Sequence, residues 1–282
     1  MHRPDRFREA RITTSDTHVG RFDTDPRVVA ALRTGPWHTV DHHALVTSTQ
    51  DVALAALTDG VRPGLVVAAD LQTAGRGRSG RVWEEHAASG ASPTNLSVTA
   101  TWRVPDGVDV GIAPLAAGLA VVRALEACGV TAQVKWPNDV LVGDRKVAGI
   151  LVERHQVAGD DVLLIGCGID VDWRGVSRTG DSAGWTSVAE VTGAEVDRSG
   201  LLAGLLEALD ARFAQMRAEP ARLLADHRNV CITLGRDVRV LLPGGDSLDG
   251  RAVDVDAAGG LVVATPDGGR RTVTVGDIVH VR

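Results

Sequence analysis

The chain has 282 residues and a formal net charge of −6 at pH 7, and 44% of its residues are hydrophobic. This length allows two domains, and the negative charge argues against a protein whose main role is to coat nucleic acid. No apolar run approaches the ~18 residues that a membrane-spanning helix needs, and the N-terminus lacks the apolar core of a signal peptide. We therefore expect a cytoplasmic protein with neither a membrane nor a specific nucleic acid as its partner.

The first half of the chain predicts alternating helices and strands. Residues 1–25 are polar and are predicted to be disordered or loosely packed. The elements predicted after them are a short helix opened by Asp25 and Pro26, a strand over 37–46, a helix over 47–57, a buried strand over 65–69, a strand over 96–102 and a helix over 111–127. The last helix is apolar around most of its circumference, which predicts that it is buried.

The second half predicts more strands and two helices, followed by a region of short strands between turns. Its predicted elements are strands over 133–136, 140–142, 147–152 and 162–171, an amphipathic helix over 202–216 and a helix over 221–229. After Val230, short alternating stretches between Gly and Pro turns predict four or five strands of a small antiparallel barrel. The expected organisation is an α+β domain over 26–229, in which helices flank a central mixed or antiparallel sheet, followed by the barrel over 230–282.

Cysteine and histidine spacing predicts no metal site. The three cysteines are far apart in sequence, and no Cys-x-x-Cys or His/Cys cluster is present. We expect each cysteine to behave as a small core residue. The adjacent His42 and His43 lie in the strand predicted over 37–46, where a structural role is expected rather than metal binding.

The arginine loop, residues 75–81, reads Gly-Arg-Gly-Arg-Ser-Gly-Arg and follows the buried strand over 65–69. Arginine offers a planar fork of donors that matches carboxylate and phosphate oxygens, and glycine lets the backbone bend and approach a ligand closely. The pattern indicates a hinged loop that closes over an anion. A solvated turn or a non-specific nucleic-acid contact would also fit these residues taken alone.

The same loop matches the dinucleotide-binding pattern G-x-G-x-x-G, but the match is weak. That motif needs a helix that opens inside the glycines and an acidic residue about 20 positions later. Residues 87–93 instead predict a further loop, and two arginines among the glycines would crowd a pyrophosphate. We therefore do not predict a dinucleotide-binding fold.

Two further motifs group polar side chains near strand ends. Residues 135–139 read Lys-Trp-Pro-Asn-Asp, and Lys146 follows at the start of the next apolar stretch, so that a hairpin would bring Asn138 near Lys146. A lysine that enters an apolar strand needs an anionic partner, because burial of its charge is costly. Residues 166–170 read Gly-Cys-Gly-Ile-Asp, and their glycines allow another backbone or a flat ligand to approach the strand closely.

Together these motifs resemble those of biotin protein ligases, in the same order and at the same spacing. The resemblance runs from about residue 45 to the C-terminus. It implies a class II synthetase-like catalytic domain with a C-terminal SH3-like barrel, and a two-step reaction. Biotin and ATP would give biotinyl-5′-AMP and pyrophosphate, and the biotinyl group would then pass to a lysine on the biotin carboxyl carrier domain of a biotin-dependent carboxylase, with release of AMP. Mg²⁺ would accompany ATP.

The resemblance also implies roles for individual residues. Lys146, Arg76 and Arg78 would be catalytic, with Lys146 between the biotin carboxylate and the α-phosphate. The residues implied in biotin binding are Ser48, Thr49, Gln50, Gln72, Arg76, Gly77, Arg78 and Lys146. Those implied in nucleotide binding are Gly75, Arg78, Arg81, Trp83, Asn138, Lys146 and Asp170.

The chain departs from the family pattern at two positions. Gln50 stands where relatives often carry asparagine; the amide is kept, so we expect a small effect. Asp170 stands where relatives usually carry an asparagine that contacts adenine. A carboxylate accepts hydrogen bonds but cannot donate one to a ring nitrogen, so adenine recognition should differ at this position.

Three alternatives follow from the same features. Some biotin ligases are also repressors with an N-terminal winged helix, but only ~45 residues precede the resembling region and they show no paired amphipathic helices. We therefore expect a ligase without a DNA-binding domain. A lipoate or octanoate ligase shares the catalytic fold, although the arginine loop and residues 135–139 favour biotin. A non-catalytic nucleotide- or RNA-binding module could use the same cationic loop.

Overall fold

The structure is a computed structural model that describes residues 22–83, 95–178 and 180–280. Its helices are α1 (Pro26–Thr34), α2 (Thr49–Thr58), α3 (Ala113–Ala127), α4 (Val188–Thr192), α5 (Arg198–Ala218) and α6 (Pro220–Val230). The strands of the larger sheet are β1 (Thr39–His43), β2 (Leu65–Ala69), β3 (Asn95–Arg103), β4 (Gln133–Lys135), β5 (Asp139–Val142), β6 (Arg145–Val157) and β7 (Asp160–Asp170). Those of the smaller sheet are β8 (Asp237–Leu241), β9 (Ser247–Val255), β10 (Leu261–Ala264), β11 (Arg270–Val273) and β12 (Asp277–His280).

The larger sheet has seven strands in the order β1-β2-β3-β7-β6-β5-β4. Strands β1 and β2 are parallel, and the other neighbouring pairs are antiparallel. The five strands of the smaller sheet are all antiparallel, in the order β11-β10-β9-β8-β12. The predicted α+β class, with a mixed sheet flanked by helices and a small C-terminal β unit, is therefore confirmed.

Helices cover both faces of the larger sheet. All five residues of β2 are buried. Alternate side chains of a strand point to opposite faces of the sheet, and both faces are covered here. Val66 and Ala68 belong to the main core with α3 and α5, whereas Leu65 and Val67 pack in a second cluster with α2. The continuous apolar run over 65–69 is what a strand with two covered faces requires.

The smaller sheet contacts the larger domain near the motif over 135–139. The indole nitrogen of Trp136 donates to the carbonyl of Gly259 at 2.9 Å, and Arg228 of α6 donates to Asp254 of β9 at 2.6 Å. The boundary predicted at residue 230 stays a prediction, although α6 ends at Val230 and the strands begin only at Asp237.

Several predicted bounds differ from the structure. The strand predicted over 37–46 is β1, which is shorter because Val46 instead forms an isolated bridge with Gln72. The helix predicted over 111–127 begins only at Ala113. Strand β6 runs past the predicted end at residue 152, because its long antiparallel pairing with β7 carries polar residues that the apolar pattern does not include.

The N-terminal and loop predictions fall partly outside the described residues. This applies to residues 1–21 of the segment predicted as disordered or loosely packed and to the loop predicted over 87–93. Phe22–Thr24 form a short 3-10 helix, and Phe22 is buried in the core. The packed domain therefore begins earlier than residue 26. No helix in the described ranges is long and apolar enough to cross a membrane.

The cysteines and the paired histidines lie where the sequence placed them. Cys167 and Cys231 are buried and Cys128 is half-buried, all three as free thiols. Burial raises the pKa of the Cys167 thiol to about 12, which suits a core residue and not a nucleophile. His42 and His43 both lie on β1, and the His42 ring is 3.0 Å from the carboxylate of Asp70.

His227 makes folding stability depend on pH. This α6 residue is fully buried, and neither ring nitrogen has a hydrogen-bond partner in the part of the chain that the structure describes. Desolvation, with a smaller effect of Arg228, lowers the pKa of His227 from 6.5 to about 4. The unfolded chain takes up this proton near pH 6.5, whereas the folded protein resists it down to about pH 4. The contribution of His227 is complete above pH 6.5 and is lost as the pH falls from 6.5 to 4, by about 3 kcal/mol.

Urea unfolding at pH 7 and pH 4.5 measures this loss. We expect His227→Phe, which keeps a buried ring but has no titrating group, to lose less free energy of unfolding than the wild type between these pH values. Burial also lowers the pKa of His280 to about 4. His280 therefore accounts for part of the pH dependence of unfolding that the His227→Phe variant keeps. Equal pH dependence in the variant and the wild type would contradict the assignment.

Candidate functional site

One cavity gathers most of the predicted site residues. It has a volume of about 230 Å³ and lies between the start of α2, the arginine loop and strands β5, β6 and β7. The predicted residues that line it are Ser48, Thr49, Gln50, Gln72, Arg76, Gly77, Arg78, Arg81, Trp83, Asn138 and Lys146. Motifs that lie up to about 100 residues apart in sequence therefore line the same cavity.

One end of the cavity is polar and is built at the start of α2. The backbone N–H of Thr49 donates to Gln72 Oε1 at 2.8 Å, and Thr99 donates to the Thr49 hydroxyl at 2.9 Å. Gln50 Nε2 donates to the carbonyl of Leu151 at 3.0 Å. These bonds fix Thr49, Gln50 and Gln72 relative to one another.

Two polar atoms at this end are buried without a hydrogen-bond partner within the described residues. They are Ser48 Oγ and Gln50 Oε1. A buried polar atom without a partner costs about 1–3 kcal/mol, and such atoms in a cavity indicate a ligand that supplies the missing bonds. Because the Gln50 amide nitrogen is already used by Leu151, the atom left for a ligand is an acceptor.

Glycines form the floor of the cavity. A Cβ atom added to Gly168 would lie 2.5 Å from the ring of Trp83, and one added to Gly149 would lie 2.7 Å from the same ring. Gly166 lies under Gln50 in the same way, with a Cβ-to-Nε2 distance of 3.1 Å. The glycines at 166 and 168 therefore let the Gln50 amide and the Trp83 ring lie directly on the strand. The approach of another backbone or a flat ligand at these glycines stays a prediction.

Tryptophans form one wall. Trp83 stacks on Trp185 with ring centroids 5.1 Å apart, and Trp173 lies behind Trp185 at 5.9 Å. Trp83 is buried, and its indole nitrogen has no partner among the described residues. Trp185 lines the cavity but is absent from the residues predicted above. A bridge between its backbone and Lys146, which is distant in sequence, brings it there. A tryptophan between glycine and threonine carried no signal of that bridge.

Lys146 lies where the predicted hairpin places it. It pairs with Leu141 across β5 and β6, and its ammonium group is 2.7 Å from Asp139. The same nitrogen lies 4.8 Å from the ring centre of Trp185 and 5.2 Å from that of Trp83. Lys146 is thus a cation held in position by one carboxylate and two aromatic rings. Its partial burial reduces the screening of its charge by water.

The arginine loop is a small hairpin and not the start of a helix. Trp83 N donates to the carbonyl of Gly75 at 2.9 Å and Gly77 N to that of Arg81 at 2.7 Å, and the loop contains only one 3-10 turn, Arg78–Gly80. This geometry agrees with the absence of a dinucleotide-binding fold. Gly75 is buried against Trp83 and Gln72. It lines the neighbouring cleft of about 790 Å³ and not the central cavity.

The three arginines of the loop have different environments. Arg78 is half-buried beside Asn138, and desolvation lowers the pKa of its guanidinium. A bound anion would offset that cost. Arg81 pairs with Asp277 of β12 at 2.6 Å, which ties the loop to the smaller sheet. Arg76 pairs with Asp51 of α2 at 2.7 Å and also with Glu153 of β6.

Arg76 and Asp170 have surroundings that the sequence did not indicate. Arg76 lines the cavity, and its guanidinium pairs with Asp51 and Glu153, here called the acidic clamp. Asp170 is fully buried opposite Asn95, and it does not line the cavity. Although Asp170 lies on the same side of β7 as Gly168, two residues of a strand span roughly 7 Å, which takes it past the cavity wall.

The acidic clamp should hold the arginine loop closed. We expect the double variant Asp51→Asn, Glu153→Gln to be cleaved by trypsin within the loop roughly 2- to 30-fold faster than the wild type without ligands, since two partly exposed ion pairs contribute about 0.2–1 kcal/mol each. Mass spectrometry of the early fragments identifies the cut sites. Glu207→Gln, an exposed change on α5, is the control. Equal cleavage in all three proteins would show that the clamp does not restrain the loop.

Comparison with known proteins gives the family. Residues 43–172 match the Biotin/lipoate A/B protein ligase family, and residues 233–281 match the Biotin protein ligase C terminal domain. The biotin–[acetyl-CoA-carboxylase] ligase of Mycobacterium tuberculosis is 39% identical over 87% of this chain and 90% of its own length. The bifunctional ligase/repressor BirA of Bacillus subtilis is 31% identical over 80% of this chain and 70% of its own length. A biotin protein ligase from Aquifex aeolicus, solved in complex with biotin and ATP, has a TM-score of 0.70 at 25% identity, over 87% of this chain and 100% of that one. The chain therefore belongs to the biotin protein ligase family.

Proposed function

We propose that the protein is a cytoplasmic, ATP-dependent biotin ligase, which forms biotinyl-5′-AMP and transfers the biotinyl group to a lysine on a biotin carboxyl carrier domain. The observation that carries this proposal is one cavity with unpartnered polar atoms at one end and cations at the other. Biotin has matching ends, a ureido ring and a carboxylate, joined by an apolar chain. The name of the Mycobacterium tuberculosis relative supports a biotin-dependent carboxylase as the source of the acceptor.

The polar end fits the ureido ring. Ser48 Oγ donates to the ureido oxygen, and Gln50 Oε1 accepts a ureido N–H, which satisfies both unpartnered atoms. Thr49 and Gln72 hold these groups in place through their mutual hydrogen bonds. The lipoyl dithiolane ring has no N–H donor, and it would leave Gln50 Oε1 buried without a partner. The polar end therefore favours biotin over lipoate or octanoate.

The cationic end fits the first chemical step. A biotin carboxylate oxygen attacks the α-phosphorus of ATP, a P–O bond to the β-phosphate breaks, and pyrophosphate leaves. Lys146 lies between the two anions and offsets their repulsion as negative charge collects in the transition state. Arg78 binds the carboxylate and phosphate oxygens from the loop, with Gly77 giving the backbone room to approach them. Arg76 joins them by exchanging the acidic clamp for the ligand.

The tryptophan wall fits the nucleotide. The adenine stacks against Trp83 and Trp185, and Asn138 and Arg81 lie toward the phosphates. Gly75 contributes indirectly to nucleotide binding, because it is part of the turn at the start of the arginine loop. We assign no adenine contact to Asp170.

The second step uses an amine from the partner. The lysine of the carrier domain attacks the acyl carbon of biotinyl-5′-AMP, and AMP leaves with the bonding electron pair. No covalent enzyme intermediate takes part, which agrees with the raised pKa of the Cys167 thiol. The closed arginine loop excludes water and so protects the mixed anhydride from hydrolysis.

Mg²⁺ enters with ATP. The described residues contain no group of three or more His, Cys, Asp or Glu that could hold a metal ion by themselves. Mg²⁺ typically binds one or two carboxylates together with substrate phosphates, and Asp139 at the cavity wall fits that requirement. The ion neutralises charge on the phosphates when bound.

Mass spectrometry of a carrier domain, after incubation with the protein, biotin, ATP and Mg²⁺, tests the proposal. We expect a mass increase of one biotinyl group on one lysine, and none after chelation of the metal. In parallel, pyrophosphate release is measured with biotin, lipoate and octanoate as the acid. Release with lipoate or octanoate but not biotin would overturn the substrate assignment. Nucleotide binding without any release would favour a non-catalytic binding module.

A further inference from the structure

Trp185 lies on an irregular connection and yet forms a wall of the cavity. Within the described residues, the chain between β7 and α4 contains no strand and only a short 3-10 helix, Gly180–Gly184. Ladder hydrogen bonds of a sheet therefore do not fix the indole of Trp185, apart from one isolated bridge with Lys146. A flat wall that receives a ligand has to be held by other contacts.

Arg178 supplies such contacts from outside the cavity. Its Nη1 donates to the carbonyl oxygen of Trp185 at 2.6 Å, and its Nη2 pairs with Glu190 of α4. Only 17% and 18% of these two charged side chains is exposed. The guanidinium also lies 5.6 Å from the ring centre of Trp173, which stacks behind Trp185. Arg178 thus holds Trp185 through its backbone and supports the ring behind it.

Glu190 continues the same network into the sheet. Its carboxylate accepts from Ser187 N at 3.0 Å, and this bond is part of the capping box that begins α4. The next residue back, Thr186, donates its N–H to the carbonyl oxygen of Lys146 at 2.7 Å. The pair Arg178–Glu190 therefore connects the tryptophan wall to the strand that carries Lys146.

We propose that Arg178, through Glu190, is a positioning residue for ATP: it holds Trp185 and Trp173 in the arrangement that forms the aromatic wall of the nucleotide half. This inference rests on the proposed function. Arg178 does not line the cavity, so it touches no substrate, and its effect should be confined to the nucleotide half. The unpartnered atoms at the polar end belong to Ser48 and Gln50 at the start of α2, a helix that is not part of this network.

Calorimetric binding and steady-state kinetics test the inference in the full-length protein. We expect Arg178→Gln to weaken ATP binding and raise the KM for ATP by roughly tenfold, while the KM for biotin stays within about twofold. Glu190→Gln should have the same selective effect. The control is Arg212→Gln, which breaks a partly buried ion pair between α5 and α6 and should change neither KM.

A variant that leaves one buried charge without its partner could fail to fold, so the double variant Arg178→Gln, Glu190→Gln removes both charges together. It should melt near the wild-type temperature and keep the selective loss of ATP affinity. Equal losses for ATP and biotin, or unchanged ATP affinity, would overturn the inference. Failure of the wild type to release pyrophosphate would instead overturn the proposed function, and calorimetric ATP binding would still test the wall.

Discussion

Replacement of Lys146 by alanine should lower the rate of biotin-dependent pyrophosphate release by about 10²–10³-fold, the usual cost of removing one preorganised electrostatic contact with a transition state. The ammonium group is held by Asp139 at 2.7 Å and by two indole rings, so it is already in position when the two anions meet. The thermal melting temperature should change little, because the side chain is at the cavity wall and Asp139 keeps access to water. Near-normal turnover would contradict the assignment.

Two comparisons make the Lys146→Ala result specific. Arg145→Ala changes the adjacent exposed cation, and it should leave the rate within about twofold. Transfer from chemically supplied biotinyl-5′-AMP to the carrier domain should fall less than pyrophosphate release, because the carboxylate and the phosphate are already joined in that compound. If both steps fell equally, Lys146 would act in binding the adenylate and not in its formation.

The convergence of the motifs could be predicted because each follows or begins a strand. Residues 75–81 come after β2, residues 135–139 join β4 to β5, and Lys146 is the second residue of β6. Apolar runs with period two, broken by glycine and proline, fix these positions well from sequence. The pairing of Leu141 with Lys146 then follows from the short turn between β5 and β6.

Contacts between motifs could not be predicted in the same way. The acidic clamp joins Arg76 to carboxylates on α2 and β6, and which acid faces which arginine depends on strand order and register in three dimensions. Trp185 was missed for the same reason. The role of Asp170 in nucleotide binding stays a prediction, since this residue is buried and does not line the cavity.

Gly168→Ala should disable the nucleotide half of the site. A Cβ atom at this position would lie 2.5 Å from the indole of Trp83, so the ring has to move away from the strand and from Trp185. A displacement of about 1 Å in a positioned group can cost about 10² in rate. We expect kcat/KM for ATP to fall by roughly 10–100-fold, with a smaller change in the KM for biotin.

Two further variants separate a displaced tryptophan from a damaged fold. Gly204→Ala in α5 introduces a methyl group with nothing within 4 Å. It should keep full activity and stabilise the helix by about 0.5–1 kcal/mol. In the background of Trp83→Ala, the change Gly168→Ala should cost almost nothing more, because the ring that it displaces is gone. The opposite result would be an equal loss of activity from Gly168→Ala with and without Trp83. It would mean that Gly168 is needed for the backbone of β7 and not to make room for the indole of Trp83.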